Sequence, residues 1–120
     1  MKGVEDVAVR ITLAAVAGIV LLAGAAFALP ADSTLFKQLY NPAAGTKLAS
    51  AGCLVCHDKA PFTKTGLNRY GQDVAKQAKP RTAASFKAIE ALDSDKDGVS
   101  NLKEIQAGTL PGDPTSKPAK

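Results

Sequence analysis

The sequence has a single histidine, His57, a single methionine, Met1, no tryptophan and only two cysteines among 120 residues. A zinc site would need two more ligands beside the cysteines, and after His57 no further cysteine or histidine exists to supply them. Aromatics are scarce: beyond the N-terminal segment they are Phe36, Tyr40, Phe62, Tyr70 and Phe86. A chain of this size with so few large apolar side chains builds a marginal core unaided. Alternating polar and apolar residues are missing, as is any internal repeat, which argues against strands and against a repeat architecture. The formal net charge of +4 is mild and dispersed. It does not form the basic patch that nucleic acid requires, but it permits docking to an acidic protein surface.

The one long apolar run is 11–26, broken by Thr12. Lys2 and Arg10 precede it, diluted by Glu5 and Asp6, and Ala26-Phe27-Ala28 follows it with small residues where a signal peptidase reads. Residues 1–28 are therefore expected to be an export signal, cleaved after Ala28, with Ala31 the weaker option. Cleavage removes Lys2, Arg10, Glu5 and Asp6 and leaves the net charge unchanged. The run is also close to the shortest membrane span, so an uncleaved anchor is the alternative; no cysteine near the cleavage region offers a lipid attachment point. The expected location is periplasmic or extracellular, with the membrane involved only through such an anchor.

The rest of the chain reads as all-α. Asp32 or Ser33 caps a helix through Tyr40 that places Leu35, Phe36 and Leu39 on one face. Residues 44–54 form a second helix with Leu48 and Ala51 inward, whose small residues let something bulky press close. The stretch 58–66, with Pro61 and Gly66, is a loop. A third helix is expected over 67–78 (Leu67, Tyr70, Val74), and a fourth over 82–92 (Phe86, Ile89, Leu92). A short helix then ends at Ala107, with Gly108 as its stop. The domain thus spans 29–109, and the tail 110–120, with Pro111, Pro114 and Pro118, is expected to be extended and flexible.

Cys53-Leu54-Val55-Cys56-His57 is the attachment pattern of c-type haem. Two thiols three residues apart reach the two vinyl groups of one porphyrin, and the adjacent histidine supplies an axial nitrogen to iron. A thioredoxin-like pair needs a strand before it and a helix after it, whereas here a helix precedes and a loop follows. A plain disulfide would leave His57 without a purpose. Export agrees with haem attachment outside the cytoplasm. Residues 45–57 resemble the first helix and attachment turn of class I c-type cytochromes. That resemblance implies an all-helical domain wrapping one haem c, shuttling single electrons between redox proteins of the cell envelope.

That family places a methionine or second histidine across the haem, and this chain departs from it. Met1 lies in the segment expected to be removed or to sit across the membrane, and a homo-oligomer cannot supply what every copy lacks. The weaker candidates are Lys59, Lys64, Lys76, Asn68, Tyr70 and the freed amine of Leu29. The segment Gly66-Leu67-Asn68-Arg69-Tyr70-Gly71 could cross the far face, with Leu67 and Tyr70 packing on the porphyrin. Without a thioether ligand the reduction potential should fall. An open face would admit nitric oxide or carbon monoxide, which makes a small-ligand sensor the alternative to an electron carrier. A peroxidase is disfavoured, since Arg69 and Arg81 are the only arginines left and no distal histidine pairs with them.

Residues 93–104, Asp93-Ser94-Asp95-Lys96-Asp97-Gly98-Val99-Ser100-Asn101-Leu102-Lys103-Glu104, match the twelve-residue calcium loop at every ligand position. Asp93, Asp95 and Asp97 present carboxylates, Val99 its carbonyl, Asn101 a route through water, and Glu104 two oxygens. The run to Pro114 resembles exported dockerin-like and thrombospondin type 3 calcium segments, in which the ion is mainly structural. A single loop also lacks the paired cooperativity of sensors. A calcium-dependent assembly module, with oligomers forming through an exposed haem, is the remaining alternative.

Overall fold

Leu35, Phe36 and Leu39 recur at helical spacing, and the chain gathers them on α1, Ala31–Tyr40. The structure, a computed structural model, describes residues 31–119. The segment read as an export signal or anchor lies outside the described residues, as does Leu29. Four short helices follow: α2, Lys47–Ala51, continued by a 3-10 turn at Gly52–Val55; α3, Arg69–Ala75; α4, Ala83–Lys87; and α5, Asn101–Ala107. Among the described residues there is no strand, only an isolated antiparallel bridge between His57 and Leu67. None of their helices is long and apolar enough to cross a membrane.

The helices are shorter than the sequence suggests, for local reasons. Thr46 caps α2, its Oγ1 accepting from the Ala49 amide at 3.2 Å. Leu67 is drawn off α3 by its bridge to His57, so the helix begins after Asn68. Beyond Ala88 the chain tightens. Ile89, Glu90 and Leu92 donate to the carbonyls three residues back (Phe86, Lys87, Ile89), a 3-10 pattern that still keeps Phe86 and Ile89 inward.

Phe36, Leu48, Val55, Tyr70, Val74, Phe86, Ile89 and Ile105 form one core, each burial contributing about 1.5–3 kcal/mol. Phe36 is its hub, meeting Phe86 edge-on at 5.9 Å and Tyr70 at 6.2 Å. Around it, α1 packs on α4, Arg81 pairs with Asp32 at 2.6 Å, and the Tyr40 hydroxyl donates to Glu90 at 2.9 Å.

The C-terminal segment departs from the expected extended tail. Gly108 closes α5 in the left-handed conformation (φ 76°) and its carbonyl accepts from the Leu48 amide at 3.0 Å. Pro111, Gly112 and Ser116 are then buried. The Ser116 hydroxyl accepts from the Leu110 amide at 3.1 Å, and the Ser116 amide donates to the Asp113 carbonyl at 2.9 Å. Proline and glycine here form turns that return the chain to the fold.

Candidate functional site

The Cys53–His57 turn is built by local geometry. At Gly52 the α-helix gives way to the 3-10 turn, and the amides of Cys56 and His57 both donate to the Cys53 carbonyl, at 3.2 and 3.0 Å. Cys53 and Cys56 are half-buried free thiols. Burial, with the Asp32 charge second, pushes the Cys56 thiol up to about 12. His57 is half-buried; its Nδ1 is enclosed and makes no hydrogen bond. Its ring lies 5.4 Å from that of Phe62, and Phe62 and Leu54 stay 49% and 41% exposed.

These residues fit a covalent porphyrin by their chemistry. Two unpaired thiols and an imidazole share one turn, with exposed apolar side chains at hand for a large flat apolar ring. Bound there, haem would hang on Cys53 and Cys56, with His57 as the nitrogen donor to iron.

The turn is clamped from behind by α3. Asn68 caps that helix, its Oδ1 accepting from the Gly71 amide at 2.8 Å. Its Nδ2 donates to the carbonyls of Val55 at 3.0 Å and Leu54 at 3.3 Å, and its backbone amide donates to the Cys56 carbonyl at 2.9 Å. A Cβ on Gly71 would collide with the same Cys56 carbonyl, so only glycine lets helix and turn approach this closely.

Two of the sequence candidates are engaged or enclosed within the fold. Asn68 spends its side chain bracing the Cys53–His57 turn and capping α3. Tyr70 is fully buried in the core against Phe36, its hydroxyl unpartnered. Lys76 is engaged by Asp73 at 2.9 Å on the exposed side of α3. Lys59 and Lys64 are exposed, in the loop that carries Phe62.

The second cluster is loop 93–104. Carboxylate oxygens of Asp93, Asp95 and Asp97 lie within 4.8 Å of one another. Backbone amides hold them in place. Asp97 donates to Asp93 at 3.1 Å and to Asp95 at 3.2 Å, Gly98 to Asp93 at 2.8 Å, and Val99 to Asp97 at 2.9 Å. Glu104, from the first turn of α5, is fully buried, and neither of its carboxylate oxygens has a hydrogen-bond partner. Asp95 Oδ2 and Asp97 Oδ2 are likewise buried without one.

Such a cluster is electrostatically costly with protons and anions alone. Burial raises Glu104 to about 9, with the charges of Asp95 and Asp97 adding to it. Burial and then the Asp97 charge raise Asp95 to about 7. Burial acts on Asp93 in the same sense, but the Gly98 and Asp97 amides outweigh it and hold that carboxyl low. Unpartnered inward oxygens, a bidentate-capable glutamate and flanking aspartates fit a hard divalent cation. Asn101, expected to reach an ion through water, uses its side chain within the protein. It is fully buried, its Oδ1 accepting from the Ser94 amide at 3.2 Å and its Nδ2 donating to the Ile89 carbonyl and the Ser94 hydroxyl, both at 2.8 Å. It brackets the loop shut from inside.

A groove of about 380 Å³ separates α3 from this loop, lined by Arg69, Asp73, Lys76, Ser94 and Lys96 among others; none of Cys53, Cys56 and His57 reaches it. Sequence reading missed the bracing roles of Asn68, Gly71 and Asn101. A glycine inside a helical pattern was a usable signal for the first pair; nothing local announced the third. The chain matches no protein-family model, no curated protein and no solved structure.

Proposed function

We propose that this chain is an exported c-type cytochrome carrying one haem on Cys53 and Cys56, with His57 as axial ligand, and moving single electrons between redox proteins of the cell envelope. Loop 93–104 holds a structural calcium ion in this reading. The observation that carries it is the five-residue attachment pattern, which runs from the 3-10 turn Gly52–Val55 into the two residues after it, with both thiols free and Leu54 and Phe62 exposed beside them. Haem attached there supplies an iron that alternates between two oxidation states. The residues do the rest: Cys53 and Cys56 fix the ring to the turn, His57 presents a nitrogen, and Phe62 shelters the imidazole. Lys59 and Lys64 rim the same loop and favour an acidic partner.

With His57 the only histidine and Met1 the only methionine, the sixth position is open or weakly held. This favours a low potential and gives the small-ligand reading its standing. The full chain, produced with export and haem maturation, tests both. Intact mass should show one covalent haem, lost in Cys53→Ser/Cys56→Ser, and electron paramagnetic resonance should show neither methionine nor bis-histidine ligation. Rapid carbon monoxide uptake by the reduced protein would favour the sensor. Bare polypeptide, or the two sulfurs bonded to each other, would remove the cytochrome reading altogether.

A further inference from the structure

Helix α3 is held by the calcium loop on one side and holds the attachment turn on the other. The Arg69 guanidinium donates to the Asp95 carbonyl at 3.2 Å, and the Ser94 hydroxyl donates to Asp73 at 2.7 Å. Ser94 is itself fixed by Asn101 inside the loop. One residue before Arg69, Asn68 grips the Leu54 and Val55 carbonyls, and Gly71 seats on Cys56. All these contacts come from residues 68–73, little more than one helical turn. A seven-residue helix is unstable alone, so its form depends on what it is docked to.

We propose that cation binding in loop 93–104 orders the Cys53–His57 turn through α3, so that, in the chain before haem is attached, calcium governs how far the two thiols are shielded and positioned. The inference rests on the calcium reading above and adds a coupling to it. The loop is a site on two independent grounds: the aspartate cluster, and a fully buried Glu104 whose unpartnered carboxylate adjoins it. Without a cation, the buried oxygens of Glu104, Asp95 and Asp97 are left unpartnered, which favours an open loop in which Ser94 and Asp95 leave Asp73 and Arg69. Helix α3 then loses one of its two anchors, and Asn68 loses its grip on the turn. With the cation, the same bonds close in reverse order. Two sites biasing one two-state element is what coupling requires.

The test uses the full chain in its reduced form before haem attachment, its helical fold verified by circular dichroism, with calcium chloride as the probe. Calcium uptake is measured by calorimetry, and alkylation of Cys53 and Cys56 by N-ethylmaleimide is followed by peptide mass. Calcium should slow alkylation of Cys56 by about tenfold or more, within the usual range of coupling between sites. In Arg69→Gln/Asp73→Ala, calcium should still bind while the alkylation rate stops responding to it. Asn68→Ala leaves the loop's own contacts intact and should react fast with or without calcium while still taking it up. Calcium binding with unchanged alkylation in the natural sequence, or full protection retained in the double variant, overturns the coupling but leaves the calcium site standing. Absence of calcium uptake by the natural sequence overturns both.

Discussion

Protons and calcium should compete for the same carboxylates, and the structure sets the size of the effect. With burial holding Asp95 near 7 and Glu104 near 9, the calcium-free loop carries about two protons at pH 6 and about one at pH 8. Calcium must displace them, so raising the pH from 6 to 8 should tighten apparent binding on the order of 10²–10³-fold. The stability of the calcium-free protein runs the other way. Between the ordinary carboxylate range and the raised values, the folded chain binds more protons than the unfolded one, so stability falls as pH rises. The contribution is complete below about pH 4 and is lost as pH climbs through 7 and then 9. Saturating calcium abolishes that slope. At free calcium a hundred times the dissociation constant it adds about 2.7 kcal/mol, or roughly 10–20 °C in Tm for a domain of this size. Calorimetry in two buffers of different ionisation enthalpy counts the released protons, and thermal melts across pH 5–9 with chelator give the stability slope. Affinity changing less than tenfold between pH 6 and 8, with no proton release, would mean that these carboxylates are not packed as described.

Two substitutions probe the scaffold. Gly71→Ala forces a methyl group into the Cys56 carbonyl; such overpacking costs about 1–3 kcal/mol, and urea denaturation should show it, with Cys56 alkylated faster. Asn101→Asp separates a bracket from a ligand. If Asn101 holds the loop closed through its Nδ2, the change strips two donated hydrogen bonds, buries a charge, and lowers both Tm and calcium affinity; an increase in affinity would restore it as a ligand.

Legibility in the sequence followed distance along the chain. Spacing at Leu35, Phe36 and Leu39 announced α1, which needs only periodicity and a stop at Asn41-Pro42. The core aromatics Phe36, Tyr70 and Phe86 were visible as helix-face residues. Helix lengths were not, because their ends depend on competition: Leu67 is paired with His57 by the Asp58–Gly66 and Asn68–Cys56 bonds on either side of it, and the chain after Ala88 tightens to follow Phe86 and Ile89 inward. The proline-bearing tail read as extended, since nothing within it shows that Ser116 will cap Leu110 or that Pro111 will be buried.

Sequence alone determined the two chemical patterns. Cys53, Cys56 and His57 are neighbours on one turn, and Asp93 to Glu104 supply their oxygens in a fixed order, so local backbone geometry suffices to group them. Tertiary structure decided what surrounds them. Asn68 and Tyr70 were turned inward, Asn101 was made a bracket, and α3 was wedged between turn and loop. Those outcomes depend on contacts between segments far apart in the chain, where the burial of one side chain is settled by the shape of another.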